Sequence, residues 1–191
     1  MLLLVRHGET ELNCAGRLQG HMDSPLTELG KHQANSVGVK LKALITAGVP
    51  VTLWTSPLGR AQETAAIIAS HIMPVLMQTD DRLAEIALGE WEGMTMEDIE
   101  FTHPGALDGT GRFDWAYRAP GGEPEEDFLS RLKSWLDDIN PDSGQLIAVS
   151  HGWAGMGLRS LYLGCSFEEV SAKGDSHEAV FAFARGSIEE H

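Results

Sequence analysis

Three short segments of apolar and β-branched residues, "LLLV" at 2–5, "VTLWT" at 51–55 and "LIAV" at 146–149, limit what this chain can fold into. The first and third, continuous apolar runs, read as buried strands of the kind found in parallel sheets covered by helices, and the second reads as another strand. Helical patterns lie between them. Thr27 is placed to cap a helix that carries Val37, Leu41, Leu44 and Ile45 on one side and is ended by Gly48 and Pro50. Ser56 and Pro57 read as the cap and the first position of a second helix, running through Ile67 and Ile68. Phe128, Leu129, Leu132, Trp135, Leu136 and Ile139 recur at helical spacing before Pro141. A further helix is expected from about 152 to 163, and 180–183 reads as a last strand. Strands alternating with helices predict an α/β layer sandwich with a mostly parallel sheet.

With 191 residues the chain has the length of one ordinary domain and can bury a core without disulfides or a structural metal. It shows no repeat and no linker, so a single domain over 1–191 is expected. The stretch 89–127, rich in Gly, Pro and aromatics without a clean period, is read as an irregular, partly helical, lid-like excursion. A net charge of −14 argues against nucleic acid or an anionic membrane as a partner. No apolar window approaches the length of a membrane span, and the first residues lack the pattern of a secretion signal, so a cytoplasmic location is expected. Cys14 and Cys165 are too few for a disulfide framework and are read as free thiols.

In a parallel sheet, ligands bind beyond the carboxyl ends of the strands. Each of the three strand ends here is followed by cationic or imidazole chemistry: Arg6 and His7 after the first, Arg60 one helical turn after the second, and His151 directly after the third. Two guanidiniums and two imidazoles, with helix N-termini near Ser56 and Gly152, make a site for a compact dianion, and phosphate matches the planar fork of an arginine. An imidazole can also attack phosphorus, giving a phosphohistidine that divides one displacement into two. The departing alkoxide then needs an acid, for which Glu85, Glu90 and Glu92 in "RLAEIALGEWEG" are available; spacing does not choose among them. None of the familiar metal-ligand spacings is present, so neither metal nor organic cofactor is expected.

"LLLVRHGETELN", "GRLQGHMDSPLTELGKHQA", "WTSPLGRAQETA", "DDRLAEIALGEWEGMT", "APGGEPEEDFLSRL" and "AVSHG", in that order, resemble the motifs of the histidine phosphatase superfamily, also called phosphoglycerate mutase-like. The resemblance runs from Leu2 to about Leu163. It implies a three-layer α/β/α sandwich and a set of roles. His7 resembles the phosphorylated nucleophile, Arg6 and Arg60 the phosphate arginines, and His151 the second imidazole of the pocket. Glu85 stands where the family's pattern has the proton donor. Asn13 matches a phosphate ligand of many members, and Gln19 and Gly20 fall where a loop approaches substrate, with Gly152 opening the helix beside it. His177, in "DSHEAVF", is the other histidine that the last strand could bring to the site; His21, His32, His71, His103 and His191 are read as surface groups.

Three function classes follow: a phosphatase, a cofactor-dependent phosphoglycerate mutase, and a phosphate-binding protein without catalysis. "RLQGHMD" departs from the "RFSGWxD" or "RFTGWxD" of the mutases, and Arg112 and Arg118 are well separated where those enzymes carry adjacent arginines. The resemblance therefore favours the phosphatase branch acting on a small phosphorylated metabolite. A homodimer is compatible with this sequence, and no feature decides the oligomeric state.

Overall fold

The structure, a computed structural model, describes residues 1–139, 144–172 and 176–191; the helix stop read at Pro141 lies outside them. Six strands, β1 (Leu2–Arg6), β2 (Val51–Thr55), β3 (Leu76–Thr79), β4 (Gln145–Ser150), β5 (Val180–Ala184) and β6 (Ser187–Glu190), form one sheet in the order β3-β2-β4-β1-β5-β6. The first four in that order run parallel, and β5 and β6 close one side antiparallel. The helices are α1 (Glu11–Cys14), α2 (Glu28–Leu44), α3 (Gly59–Ile72), α4 (Met96–Thr102), α5 (Glu125–Asp138), α6 (Gly152–Leu163) and α7 (Phe167–Ser171).

Because successive side chains of a strand point to opposite faces, the apolar runs feed two cores. Leu3, Val5, Leu53, Ile147 and Val149 pack with Val37 and Leu41 of α2 and Ala61, Ala65 and Ile68 of α3. Leu2, Leu4, Leu146 and Ala148 face the other way, onto Phe128, Leu132 and Trp135 of α5 and Ala154 and Leu158 of α6. The layers are thus helix, sheet and helix, as expected.

Local signals set most of the boundaries. Thr27 caps α2, its hydroxyl accepting the Gly30 N–H at 3.0 Å, and the helix closes at Leu44 with Ile45 extended behind it. The start of α3 differs from the sequence reading. The helix begins at Gly59, not at Pro57, because the Ser56 hydroxyl accepts the Leu58 N–H and is also engaged by an imidazole. The N–H groups of Gly59 and Arg60 are instead taken by the carboxylate of Asp23, a cap supplied from a distant loop. Two strands and two short helices, β3, β6, α1 and α7, lie outside the elements read from the sequence; β3 and β6 are the edges of the sheet and expose most of their residues, so they lack the apolar run of an interior strand.

The 89–127 excursion holds a 3₁₀ turn at Gly89–Trp91, α4, and a second 3₁₀ turn at Trp115–Arg118. Trp91, Ile99, Ala116 and Ala119 anchor it in the core beside Phe128 and Trp135. Among the described residues, no helix is long and apolar enough to cross a membrane.

The loop leaving β1 meets α2 backbone to backbone: a Cβ on Gly8 would overlap the Gly30 carbonyl, and a Cβ on Gly30 would overlap the Glu9 carbonyl. Gly30→Ala is therefore expected to cost about 1–3 kcal/mol in urea unfolding, the range for overpacking a tight contact. A loss below about 0.5 kcal/mol, within the scatter of ordinary surface substitutions, would show that the two backbones separate freely.

Candidate active site

The parallel ladder brings three strand ends level. Arg6 lies opposite Ser150 and Thr55 opposite Val149. One residue further on, the His7 N–H still donates to the Ser150 carbonyl and the Ser56 N–H to the Val149 carbonyl, both at 3.0 Å. His7 and His151 therefore leave the sheet side by side, with Ser56 one residue short of them, opposite Ser150.

His7 is 2% exposed. Its Nδ1 lies 2.7 Å from the Gly8 carbonyl, and since a carbonyl can only accept, Nδ1 carries the proton. In the neutral ring the lone pair is then on Nε2, where Arg60 Nε donates to it at 3.3 Å. Burial, with the Arg6 and Arg60 charges adding to it, holds the His7 pKa well below its ordinary value.

His151, equally buried, has its ring centroid 5.1 Å from that of His7. Its Nε2 is 2.7 Å from Ser56 Oγ. Ser56 Oγ already accepts the Leu58 N–H, so its own proton satisfies Nε2 best, which puts the imidazole proton on Nδ1. That Nδ1 is buried without a partner among the described residues. Burial, followed by the charge of Arg60, depresses the His151 pKa well below its ordinary value as well.

Arg60 is 1% exposed in the first turn of α3. Besides His7, its guanidinium donates to the carbonyls of Gly20 at 2.8 Å and Met22 at 3.0 Å and to Asp23 Oδ1 at 3.2 Å. Burial lowers its pKa, with the negative charges of Glu85 and Asp23 opposing. Arg6, half-buried at the end of β1, acts on the pKa values of His7, Arg60 and His151 and so belongs to the same cluster.

The three acids that spacing left open separate clearly. Glu85 is buried at the N-terminus of α6, where Oε1 accepts the N–H of Ala154 at 2.9 Å and of Ile86 at 3.1 Å, and Oε2 accepts that of Trp153 at 3.1 Å. Glu90 is exposed and pairs with His103 at 3.5 Å. Glu92 turns to the backbone, accepting the N–H groups of His21 and Leu88.

Of the remaining expected residues, Gly152 opens α6 and is buried. Gln19 is buried and accepts from Ser24 Oγ at 3.3 Å. Gly20 has φ +53, which favours glycine, and a Cβ there would strike the Glu92 carboxylate. Asn13 is partly committed elsewhere: its Oδ1 caps α1 by accepting from the N–H and hydroxyl of Thr10, which leaves the amide NH₂ as its donor.

Several neighbours escaped the sequence reading. Asp23 both caps α3 and orients Arg60, and the Thr64 hydroxyl receives the Gly8 N–H at 3.1 Å. His177 does reach the site: its Nδ1 is 2.6 Å from the His7 carbonyl, and its ring centroid is 5.7 Å from that of His7. His21, read as a surface group, is exposed, yet its Nε2 reaches the Glu85 carbonyl at 2.9 Å. Its position after "LQG" was the available signal.

The profile of the histidine phosphatase superfamily (branch 1) matches residues 2–177. The chain belongs to that family. A probable phosphoglycerate mutase GpmB of Photorhabdus laumondii is 36% identical over 157 residues, 79% of this chain and 69% of that protein. A glucosyl-3-phosphoglycerate phosphatase of Mycobacterium tuberculosis is 33% identical over 158 residues, 81% of this chain but only 63% of that protein's length. The solved structure of Bacillus stearothermophilus YhfR superposes with a TM-score of 0.81 at 30% identity, covering 98% of this chain and 93% of that one. This histidine phosphatase family, with a named phosphatase among the relatives, supports a phosphomonoester hydrolase of the phosphoglycerate mutase-like type.

Two buried imidazoles held neutral in this histidine phosphatase have a consequence for stability. In the unfolded chain both titrate near 6.5, whereas in the folded one their pKa values lie well below that. Below about pH 6.5 the unfolded state binds more protons, so stability falls as pH falls, by up to about 1.4 kcal/mol per pH unit for each ring. Denaturant unfolding in phosphate-free buffer between pH 7.5 and 5.5 is expected to show this slope, and His7→Asn to reduce it by about half. An equal slope in that variant would place the proton linkage elsewhere.

Proposed function

We propose that the protein is a metal-independent phosphomonoesterase that hydrolyses small-molecule phosphate esters through a covalent phosphohistidine. The observation that carries this reading is the state of His7: neutral, its Nδ1–H tied to the Gly8 carbonyl, and its Nε2 lone pair beside Arg60. A pocket built only to bind phosphate would need donors there, whereas a lone pair repels an oxyanion and serves as a nucleophile.

In the first step Nε2 of His7 forms a bond to phosphorus as the bond from phosphorus to the ester oxygen breaks. Glu85, entering this step as the carboxylic acid, gives its proton to the departing alkoxide and is left as the carboxylate. Arg6, Arg60 and the Nδ1–H of His151 hold the equatorial oxygens, where charge builds in a loose transition state. The unpartnered Nδ1 of His151 supports that role, since a phosphoryl oxygen would satisfy a buried donor that otherwise costs stability. In the second step the Glu85 carboxylate takes a proton from water, the water oxygen bonds to phosphorus, and the Nε2–phosphorus bond breaks to release inorganic phosphate.

The name of one relative keeps a mutase as the second reading. Arg112 and Arg118 do not support it: one lies over the Phe113 ring and the other donates to the Asp108 carbonyl, both exposed, so they do not form a paired fork for a substrate carboxylate.

Phosphorus NMR on a panel of phosphomonoesters, and separately on 3-phosphoglycerate with a trace of the 2,3-bisphosphate, tests both readings. Inorganic phosphate without isomerised glycerate is expected; a growing 2-phosphoglycerate signal would establish the mutase. His7→Ala is expected to remove turnover together with the acid-labile, alkali-stable phosphoprotein trapped by quenching. Retention of either would exclude His7 as nucleophile. Glu85→Gln is expected to slow phenyl phosphate about a hundredfold, the scale of a general acid, and nitrophenyl phosphate much less, because nitrophenolate leaves without protonation. Equal losses on both esters would count against Glu85.

A further inference from the structure

Glu85 sits on backbone that belongs to no helix or strand: residues 84–88 run between the 3₁₀ turns at Asp81–Leu83 and Gly89–Trp91. Carbonyls in such a segment have no ladder to satisfy them and must find donors elsewhere. Those of Ala84 and Glu85 meet one side chain of α5, and the Glu85 carbonyl is reached by His21 Nε2 as well. Arg131 Nη1 donates to the carbonyls of Arg82 and Ala84, each at 2.8 Å, and Nη2 donates to the carbonyl of Glu85 itself at 3.0 Å. The other N–H of Nη2 and that of Nε go to the two oxygens of Glu123, at 2.8 and 2.6 Å. All five donors of the guanidinium are therefore spent, and this arginine has none left for a phosphate.

Glu123 completes the clasp from the other side. Its N–H donates to the Ala87 carbonyl at 2.9 Å, and its Oε2 lies 3.4 Å from the Ala87 N–H. Backbone on both sides of Glu85 is thus bonded to a bidentate pair that is itself largely buried, with side-chain exposures of 19% and 16%. The Arg131 guanidinium also lies 4.9 Å over the Phe128 ring, which fixes it to the core face of α5. Both residues fall in "APGGEPEEDFLSRL", the stretch that the assigned phosphate and acid roles leave unused.

We infer that Arg131 and Glu123 are positioning residues for the proton donor: they hold the Glu85 backbone so that its carboxyl meets the leaving oxygen. This inference rests on the proposed role of Glu85. Lysine cannot replace the arginine, because an ammonium has three donors around one point and not a planar fork reaching three carbonyls and a carboxylate. A proton donor displaced by a fraction of an ångström loses much of its effect while nucleophile and phosphate ligands keep theirs. The defect should therefore scale with how much the leaving group needs its proton.

The test compares kcat and KM on nitrophenyl phosphate and phenyl phosphate for Glu123→Gln, Arg131→Lys, Glu85→Gln and the double variant Glu85→Gln with Glu123→Gln. Nitrophenyl phosphate turnover is the internal control that the pocket is folded. The expected result is a nitrophenyl-to-phenyl ratio of kcat raised about tenfold in Glu123→Gln and Arg131→Lys, with KM nearly unchanged. Glu85→Gln should raise the ratio further, and the double variant no more than Glu85→Gln alone. If Glu85→Gln raises the ratio while the other two leave it unchanged, or lose both substrates equally, the pair is merely structural and the inference falls alone. If Glu85→Gln itself leaves the ratio unchanged, the acid assignment falls and this inference with it.

Discussion

The parallel ladder joining β2, β4 and β1 determines where the chemistry can sit. Its register sets Thr55 against Val149 and Arg6 against Ser150, so that His7 and His151 emerge level with each other and Ser56 one residue short of them. Because the strands are parallel, the helices that follow β2 and β4 both begin at that edge. The start of α6 takes up the Glu85 carboxylate, and the start of α3 takes up Asp23 and presents Arg60. A slip of one residue in any of these pairings would turn every apolar side chain to the wrong core, so the packing of the two layers enforces the alignment of the site.

The electrostatics are as local as the geometry is global. A chain of net charge −14 buries a guanidinium to 1% exposure, next to two imidazoles that it and Arg6 help to keep neutral. The desolvated Arg60 is satisfied by two carbonyls and one carboxylate of the loop at 20–23, so the loop and the guanidinium fix each other. Neutral rings lose hydration more cheaply than charged ones, which allows both histidines to lie in the interior.

Much of this was readable in advance, and the boundary has a physical cause. Segments buried on both faces announce themselves by composition, which makes β1, β4 and β5 legible, and β2 shows in its β-branched residues. The edge strands are not: β3 exposes most of "LMQT", and β6 buries only Ile188. In the site, Arg6, His7, Arg60 and His151 were legible because each follows a strand closely. The groups that support them depend on contacts far apart in the chain. Asp23 reaches Arg60 across 37 residues, Arg131 reaches Glu85 across 46, and Ser56 meets His151 across 95, and no local pattern records such a meeting. Ser56 was misread for the same reason: its cap-like position was visible, and the imidazole that claims its hydroxyl was not.

The place of β1 in the sheet has a cost during synthesis. This first strand lies between β4 and β5, whose residues begin at Gln145 and Val180. As the chain emerges from a ribosome, "LLLV" precedes both of its neighbours, and neither exists until synthesis has passed Gln145. Unpaired on both edges, such a strand is the kind of nascent segment that aggregates or engages a chaperone. His7, which leaves this strand, is thus translated well before the strands that give it its surroundings.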